Sequence, residues 1–297
     1  MSASPDYLAR YDRMCDAASA QVIAAYSTSF SLAARLLAPA ERRDIRNLYA
    51  MVRVADEIVD GTAAAAGADP APLLDAYERS VLGAPRTRFH TDPVLHAYAA
   101  TARRCGFDPD HVRAFFASMR RDVTQTRYTD SEFTEYVYGS AEVIGLMCLS
   151  VFLAGREVGA AERARMEAGA RSLGSAFQKI NFLRDFGQDR DELGRSYFPE
   201  VSERMLDDAT KDDLVATIRA ELDHARAAFP LLPRSARAGV AAAEALFHEL
   251  TDMVDATAAA DLAAARISVP AHRKAAITAR AAARQLRRPT SGKGPRP

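Results

Sequence analysis

Apolar residues recur at three- and four-residue spacing along most of this chain, while alternating or β-branched runs are scarce. That periodicity predicts an all-α protein. About ten helices are expected. The first runs from Asp6 to about Ala25, and Ser27-Thr-Ser29-Phe30 interrupts it and can cap the next. Pro39 opens a helix carrying Asp56. The segment Gly61 to Pro70 reads as a loop. Helices follow over 72–82, 93–105 and 109–125. Thr129-Asp-Ser-Glu132 resembles a helix start before a long apolar helix from Phe133 to about Leu153. The next helix reaches Asp185. Two later ones cover roughly 212–228 and 235–258, and a last one follows Pro270. Residues 1–286 read as one domain. The stretch 287–297 is basic, rich in Pro and Gly, and reads as a disordered tail.

Two rows of polar residues break the amphipathic pattern. At ~100° per residue, Gln178, Asn181, Asp185 and Asp189 fall within an arc of roughly 80°. The apolar stripe Met166, Ala170, Leu173, Phe177, Ile180 runs beside them. Upstream, Tyr49, Arg53, Asp56 and Asp60 share an arc of roughly 60°, next to Ile45, Leu48, Val52, Ala55 and Val59. Carboxylates beside a core-facing stripe are costly unless a cation neutralises them. Hard oxygen ligands at one-turn spacing suit Mg²⁺, which keeps several waters and bridges phosphates. Asp-x-x-x-Asp alone is a weak signal. Asp12/Asp16 and Asp208/Asp212 share the spacing, and the latter sits in a charged run that reads as a helix start. The other two pairs stand out because each flanks an apolar stripe and has further polar residues on its face.

Composition changes this picture little. The chain has 297 residues, 48% hydrophobic and 26% charged, with zero formal net charge. Nothing favours broad nucleic-acid binding, so an anionic ligand must be held by local arginines and metal. The three cysteines, Cys15, Cys105 and Cys148, show no zinc spacing and fit a reduced, cytoplasmic setting. The six histidines, His248 and His272 included, show no ligand spacing. Met1-Ser-Ala-Ser-Pro-Asp6 lacks the features of a secretory signal. The most apolar run, Val143 to Gly155, is too short to span a bilayer and reads as a buried helix. No glycine-rich strand-to-helix turn marks a dinucleotide site.

Asn181-Phe-Leu-Arg-Asp185-Phe-Gly-Gln-Asp189, followed by Gly194-Arg195-Ser-Tyr197-Phe-Pro199, resembles the second aspartate-rich motif of the squalene/phytoene synthase family. Tyr49-Ala-Met-Val-Arg53-Val-Ala-Asp56-Glu-Ile-Val-Asp60 resembles the first. The likeness spans roughly Tyr26 to Lys274. It implies an isoprenoid-synthase-like helical bundle around an apolar cavity that holds two prenyl diphosphates. It implies two or three Mg²⁺ ions held by Asp56, Asp60, Asn181, Asp185 and Asp189. Arg53, Arg184 and Arg195 would clamp diphosphate, with Gln178 and Tyr197 in the same site. Ser27, Ser29 and Phe30 match a segment that contacts a diphosphate. The family usually has Lys where Thr28 stands, so one phosphate contact is expected to be missing. Arg266 and Arg273-Lys274 resemble the family's C-terminal basic segment.

In Phe133-Thr-Glu-Tyr136-Val-Tyr138-Gly-Ser-Ala-Glu142-Val-Ile-Gly145, Tyr138 matches a tyrosine near the reacting carbons. Gly139 and Gly145 would leave room for a substrate chain, and Glu142, where the family often has Gly, would narrow the cavity or shift its polarity. Ser140-Ala-Glu-Val-Ile-Gly145 also resembles a variant common in bacterial phytoene synthases. The implied reaction is head-to-head condensation, with two geranylgeranyl diphosphates giving phytoene through a cyclopropylcarbinyl diphosphate. Tyr49 and Tyr138 are candidates for proton handling or cation stabilisation. No nucleotide cofactor is expected. NADPH stays open, because reductive family members lack the dinucleotide motif too. Farnesyl diphosphate as substrate, a small aromatic acceptor and a non-catalytic helical scaffold are the alternatives. The chain ends without the anchor helix of some squalene synthases, so peripheral membrane contact for product release is the expected membrane relation. Chain length, stereochemistry and oligomeric state stay open.

Overall fold

The computed structural model describes residues 6–192, 194–201, 206–262, 264 and 266–287. Among these the chain makes fifteen α-helices and no strand, the nearest thing to one being an isolated bridge between Arg127 and Ser196. The sequence-expected tail lies outside the described residues, apart from Arg287, which closes the last helix. Local chemistry sets most boundaries. Asp6 caps α1 (Tyr7–Tyr26) by accepting from the Ala9 N–H at 3.0 Å. Ser27 caps α2 (Thr28–Ala34), and Pro39 opens α3 (Pro39–Val59). Asp69, Asp92 and Asp108 cap α5 (Pro70–Gly83), α6 (Pro93–Cys105) and α7 (Pro109–Thr124), each with proline in the first turn. Between α3 and α5 the expected loop holds a single helical turn, α4 (Thr62–Ala65).

Thr129 and Glu132 form a capping box on α8 (Asp130–Val137). A π turn over Tyr138–Glu142 joins α8 to α9 (Val143–Leu153). The joined helix, 130–153, is long and apolar enough to cross a membrane, so length does not exclude a span as the shorter apolar run suggested. Most of its apolar stretch is instead buried against α3, α7 and α10 (Ala160–Arg184). After α10 come α11 (Phe186–Glu192), α12 (Asp208–Ala228), α13 (Arg234–Asp255), α14 (Ala259–Leu262) and α15 (Ala271–Arg287).

Two large apolar clusters pack on either side of the joined helix. One gathers α10, α12 and α13 around Ile180, Leu183, Ile218 and Leu250. The other gathers α3, α5, α6 and α7 around Leu48, Met51, Leu74, Phe115 and Met147. Between them lies a cavity of about 990 Å³. Its apolar wall includes Phe30, Leu48, Ile144, Leu149, Phe177 and Leu246.

Glycine brings the walls together. A Cβ on Gly174 would lie 2.5 Å from the Ala141 carbonyl oxygen, and one on Gly139 would lie 2.3 Å from that of Ala114. The space beside Gly139 is therefore taken by α7 and not by a substrate chain. Gly145 lines the cavity, but its Cβ would sit 2.3 Å from the Ala170 carbonyl oxygen, so it too serves helix contact first. Gly174→Ala is expected to destabilise the fold by about 2 kcal/mol, the usual cost of overpacking a rigid contact. Gly83→Ala, with open space around it and a right-handed conformation, should be neutral or stabilising by up to ~1 kcal/mol. Urea unfolding of both variants checks the contrast.

Candidate active site

The first carboxylate row and the start of the second lie at helix C-termini. Asp60 ends α3, its N–H bonded to the Asp56 carbonyl at 2.8 Å, and Gly61 then turns the chain at φ 109°. Asp185 ends α10, its N–H bonded to the Asn181 carbonyl at 2.9 Å. The helix breaks there instead of continuing. The Asp189 N–H still reaches the Asp185 carbonyl at 2.8 Å, so the one-turn spacing survives into α11. The negative end of a helix dipole disfavours a carboxylate and attracts a cation.

Asp56, Asp60, Asp185 and Asp189 all line the one cavity, with Tyr49, Arg53, Gln178, Asn181 and Arg184. Their charges feel one another across it. Burial, followed by Asp60, holds the Asp56 carboxyl well above the ordinary range, against the pull of Arg53. Burial pushes Asp189 up to about 7, with Asp185 and, from the opposite row, Asp60 adding to it.

Arginine answers each pair. Arg53 lies 3.7 Å from Asp56 and also pairs with Glu57. Arg266 reaches Asp185 at 2.7 Å, and Arg184 pairs with the same carboxylate. Lys274, from α15, donates to the Thr28 hydroxyl at 2.7 Å. An ammonium from the far end of the chain thus stands beside Thr28. Burial, then Arg184 and Arg266, lowers the Lys274 pKa, so three cations converge beside the carboxylates.

Arg195 lines the same cavity but is held from within the protein. It is 7% exposed. Its guanidinium donates to the Asp60 carboxylate at 3.2 Å, the Val59 carbonyl at 3.0 Å and the Asp122 carbonyl at 2.7 Å. It ties the second motif to the ends of α3 and α7, with most of its donors spent within the protein. Tyr197 is similarly committed. Its hydroxyl donates to the Asp122 carboxylate at 3.4 Å, and its ring stacks on Phe182 at 3.9 Å.

Tyr138 is not among the cavity-lining residues. It packs at the edge of the cluster around Met147, under the guanidinium of Arg171. Tyr136 lines the cavity instead, its hydroxyl 2.8 Å from the Asp122 carboxylate. Glu142 likewise misses the cavity and pairs with Arg171 at 2.6 Å, so it does not narrow the chamber. Tyr136 and Asp122 were missed in the sequence. Asp122 carried a signal: with Phe115 and Met119 it falls at i, i+4, i+7 on the buried stripe of α7. Burial is the main reason its carboxyl is pushed up to about 7, opposed by Arg195 and the two tyrosines.

The remaining candidates line the same chamber. Ser27 accepts from the Phe30 N–H at 3.2 Å, and Ser29 is close by on α2. Phe30 lies among Tyr49, Phe177 and Phe247, the last two stacked at 3.7 Å. Burial pushes the Tyr49 hydroxyl up to about 12, so it stays protonated at neutral pH and is a poor base.

The donor set fits a hard divalent cation. Asn181 Oδ1 is buried without a hydrogen-bond partner, and Asn181 lines the same cavity as the four carboxylates. Among the described residues no three acidic, histidine or cysteine side chains converge on one point. Facing oxygen pairs suit ions that take only part of their shell from protein and the rest from water and phosphate.

A sequence profile of the squalene/phytoene synthases matches residues 23–229. The 15-cis-phytoene synthase of Synechocystis sp. is 32% identical over 259 residues, covering 80% of this chain and 75% of that one. The 15-cis-phytoene synthase of Paracoccus sp. is 31% identical over 233 residues, covering 75% and 73%. In fold, the chain is similar to a crystallised dehydrosqualene synthase, with a TM-score of 0.76 over 93% of this chain and 98% of that one, at 22% identity. With the profile spanning both carboxylate rows and the all-α architecture matched end to end, this chain belongs to the squalene/phytoene synthase family of prenyltransferases.

Proposed function

We propose that the protein condenses two prenyl diphosphates head-to-head, most specifically two geranylgeranyl diphosphates to phytoene. The observation that carries this reading is the pair of carboxylate rows, from segments far apart in sequence, facing each other at an apolar chamber flanked by Arg53, Arg184, Arg266 and Lys274. The names of the relatives support phytoene as the product.

Asp56, Asp60, Asn181, Asp185 and Asp189 would hold two or three Mg²⁺ ions. Bound there, Mg²⁺ supplies Lewis-acid stabilisation of the leaving diphosphate oxygens. Arg53, Arg184, Arg266 and Lys274 would hold diphosphate oxygens through charge-assisted hydrogen bonds. The wall formed by Phe30, Phe177, Phe247 and Leu246 keeps water from the allylic cation once the diphosphate departs. That cation adds to the double bond of the second chain, and loss of one proton from the adduct closes the ring of a cyclopropylcarbinyl diphosphate. This ionises again, releasing the second diphosphate, and rearranges. Loss of a second proton completes phytoene without a reductant. Released diphosphate is a candidate acceptor for these protons, while Tyr136, fixed by Asp122, lines the chamber. The hydrocarbon product is insoluble in water, so we place the enzyme in the cytoplasm, peripheral to a membrane.

Asp56→Ala and Asp185→Ala should keep wild-type circular dichroism and lose at least about a thousand-fold in turnover, since metal stabilisation of the transition state amounts to several kcal/mol. Full activity of either variant at saturating Mg²⁺ overturns the assigned roles.

Mass spectrometry of products from geranylgeranyl diphosphate and from farnesyl diphosphate, each with Mg²⁺ and with or without NADPH, should give a C40 hydrocarbon from the first, independent of NADPH. A C30 product alone selects the farnesyl reading, and prenylation of an added aromatic acceptor selects that alternative.

The raised carboxyls of Asp122 and Asp189 bind more protons in the folded than in the unfolded chain. Stability without metal should therefore fall as pH rises from about 4 through about 7. In EDTA the Tm is expected to be lower at pH 8 than at pH 5.5, with a smaller gap in Asp122→Asn. Mg²⁺ should raise the Tm more at pH 8, where protons no longer compete for Asp189.

A further inference from the structure

The face of α3 that ends in Asp56 and Asp60 carries a second group of charges at its other end. Arg42 and Arg46 lie one turn apart on α3, and Arg35 closes α2. At 1.5 Å per residue Arg46 and Arg42 sit roughly 15 and 21 Å along the α3 axis from Asp56, well away from the carboxylates. Residues beside them in sequence, Ala34, Leu37 and Ile45, form part of the apolar cavity wall.

These three arginines differ from most others in the structure. Arg120 pairs with Asp75 and Glu78, Arg219 with Asp252 and Asp255, and Arg226 with Asp223 and Glu244. Arg35, Arg42 and Arg46 have no side-chain hydrogen bond or ion pair among the described residues. Nε of Arg46 is buried with no acceptor. The charge of Arg46 is disfavoured by its burial and then by Arg42 and Arg35, and no carboxylate offsets them. Of the acids nearest in sequence, Glu41 accepts from the Ser235 hydroxyl at 2.5 Å through one oxygen, its other oxygen being buried without a partner, and Asp44 pairs with Arg104 and, at 3.4 Å, with Arg43.

Like charges drawn together, one with a buried unsatisfied donor, are unfavourable until an anion joins them. Guanidinium donors match phosphate oxygens in fork geometry. We propose that Arg35, Arg42 and Arg46 form a second anion site that takes a phosphate group, free or on a lipid, behind the apolar wall and separate from the cations around Asp185. The site does not depend on the reaction proposed above.

The test uses the full chain in EDTA, which removes metal-bridged phosphate from the aspartate rows. Inorganic phosphate is expected to raise the wild-type Tm above that in chloride of equal ionic strength. The rise should shrink at least fivefold in Arg42→Gln/Arg46→Gln and roughly twofold in Arg42→Gln alone, which guards against misfolding of the double variant. Co-sedimentation with phosphatidylglycerol vesicles, against phosphatidylcholine vesicles, reads lipid-borne phosphate. Loss of vesicle binding in the double variant assigns a headgroup, and loss of the inorganic phosphate response alone assigns a soluble anion. Equal phosphate and vesicle responses in wild type and double variant overturn the proposal. So does a response abolished by Lys274→Gln but kept by the arginine variants, because it puts the anion at the carboxylate rows.

Discussion

Carboxylates gathered at the negative ends of two helices, beside an apolar chamber, are the constraint that the surrounding structure answers. Asp60 and Asp185 each close a helix, Asp56 lies one turn before Asp60, and Asp189 lies one turn after Asp185 in α11. Desolvation and mutual repulsion oppose their charge, and the helix dipoles add to this at Asp60 and Asp185. Without compensation such a site would protonate or splay apart. Here Arg53, Arg184, Arg195 and Arg266 hold it together. The arrangement leaves Asn181 Oδ1 without a partner and Asp189 near neutrality in pKa. Both are conditions that a divalent cation relieves.

Support for that assembly comes from one buried knot. Asp122 accepts from Tyr136 and Tyr197 through its carboxylate and from Arg195 through its backbone carbonyl, while Arg195 reaches on to Asp60 and Val59. Four segments far apart in sequence are fixed by it: the end of α3, the end of α7, the start of the long apolar helix and the loop after α11. A chamber this large would collapse if its walls were mobile. Gly174 against Ala141 and Gly139 against Ala114 hold α7, α10 and the π turn at backbone contact, so the empty volume is enclosed by rigid neighbours.

Which tyrosine meets the chamber is decided by the packing around the π turn over Tyr138–Glu142. Tyr136 faces Asp122, Tyr138 lies under Arg171, and Glu142 pairs outward. Arg195 likewise has contacts that its motif does not show. A motif arginine beside carboxylates reads as a ligand clamp, yet its donors are used by the carbonyls of Val59 and Asp122, acceptors that no local pattern reveals.

The sequence by itself determined the helical class, most helix starts and both carboxylate rows. Those depend on local terms: 3.6-residue periodicity, Asp, Ser, Thr and Pro at first turns, and one-turn repeats of Asp beside apolar stripes. Three things were decided only by the tertiary structure. The first is that the two rows meet at one chamber. The second is that Lys274 from the last helix supplies a cation at Thr28. The third is that Asp122, not flagged by any motif, anchors the knot. Each is a contact between segments tens to hundreds of residues apart, set by which helices pack together, and packing depends on the shape of whole faces and not on the spacing within any one of them.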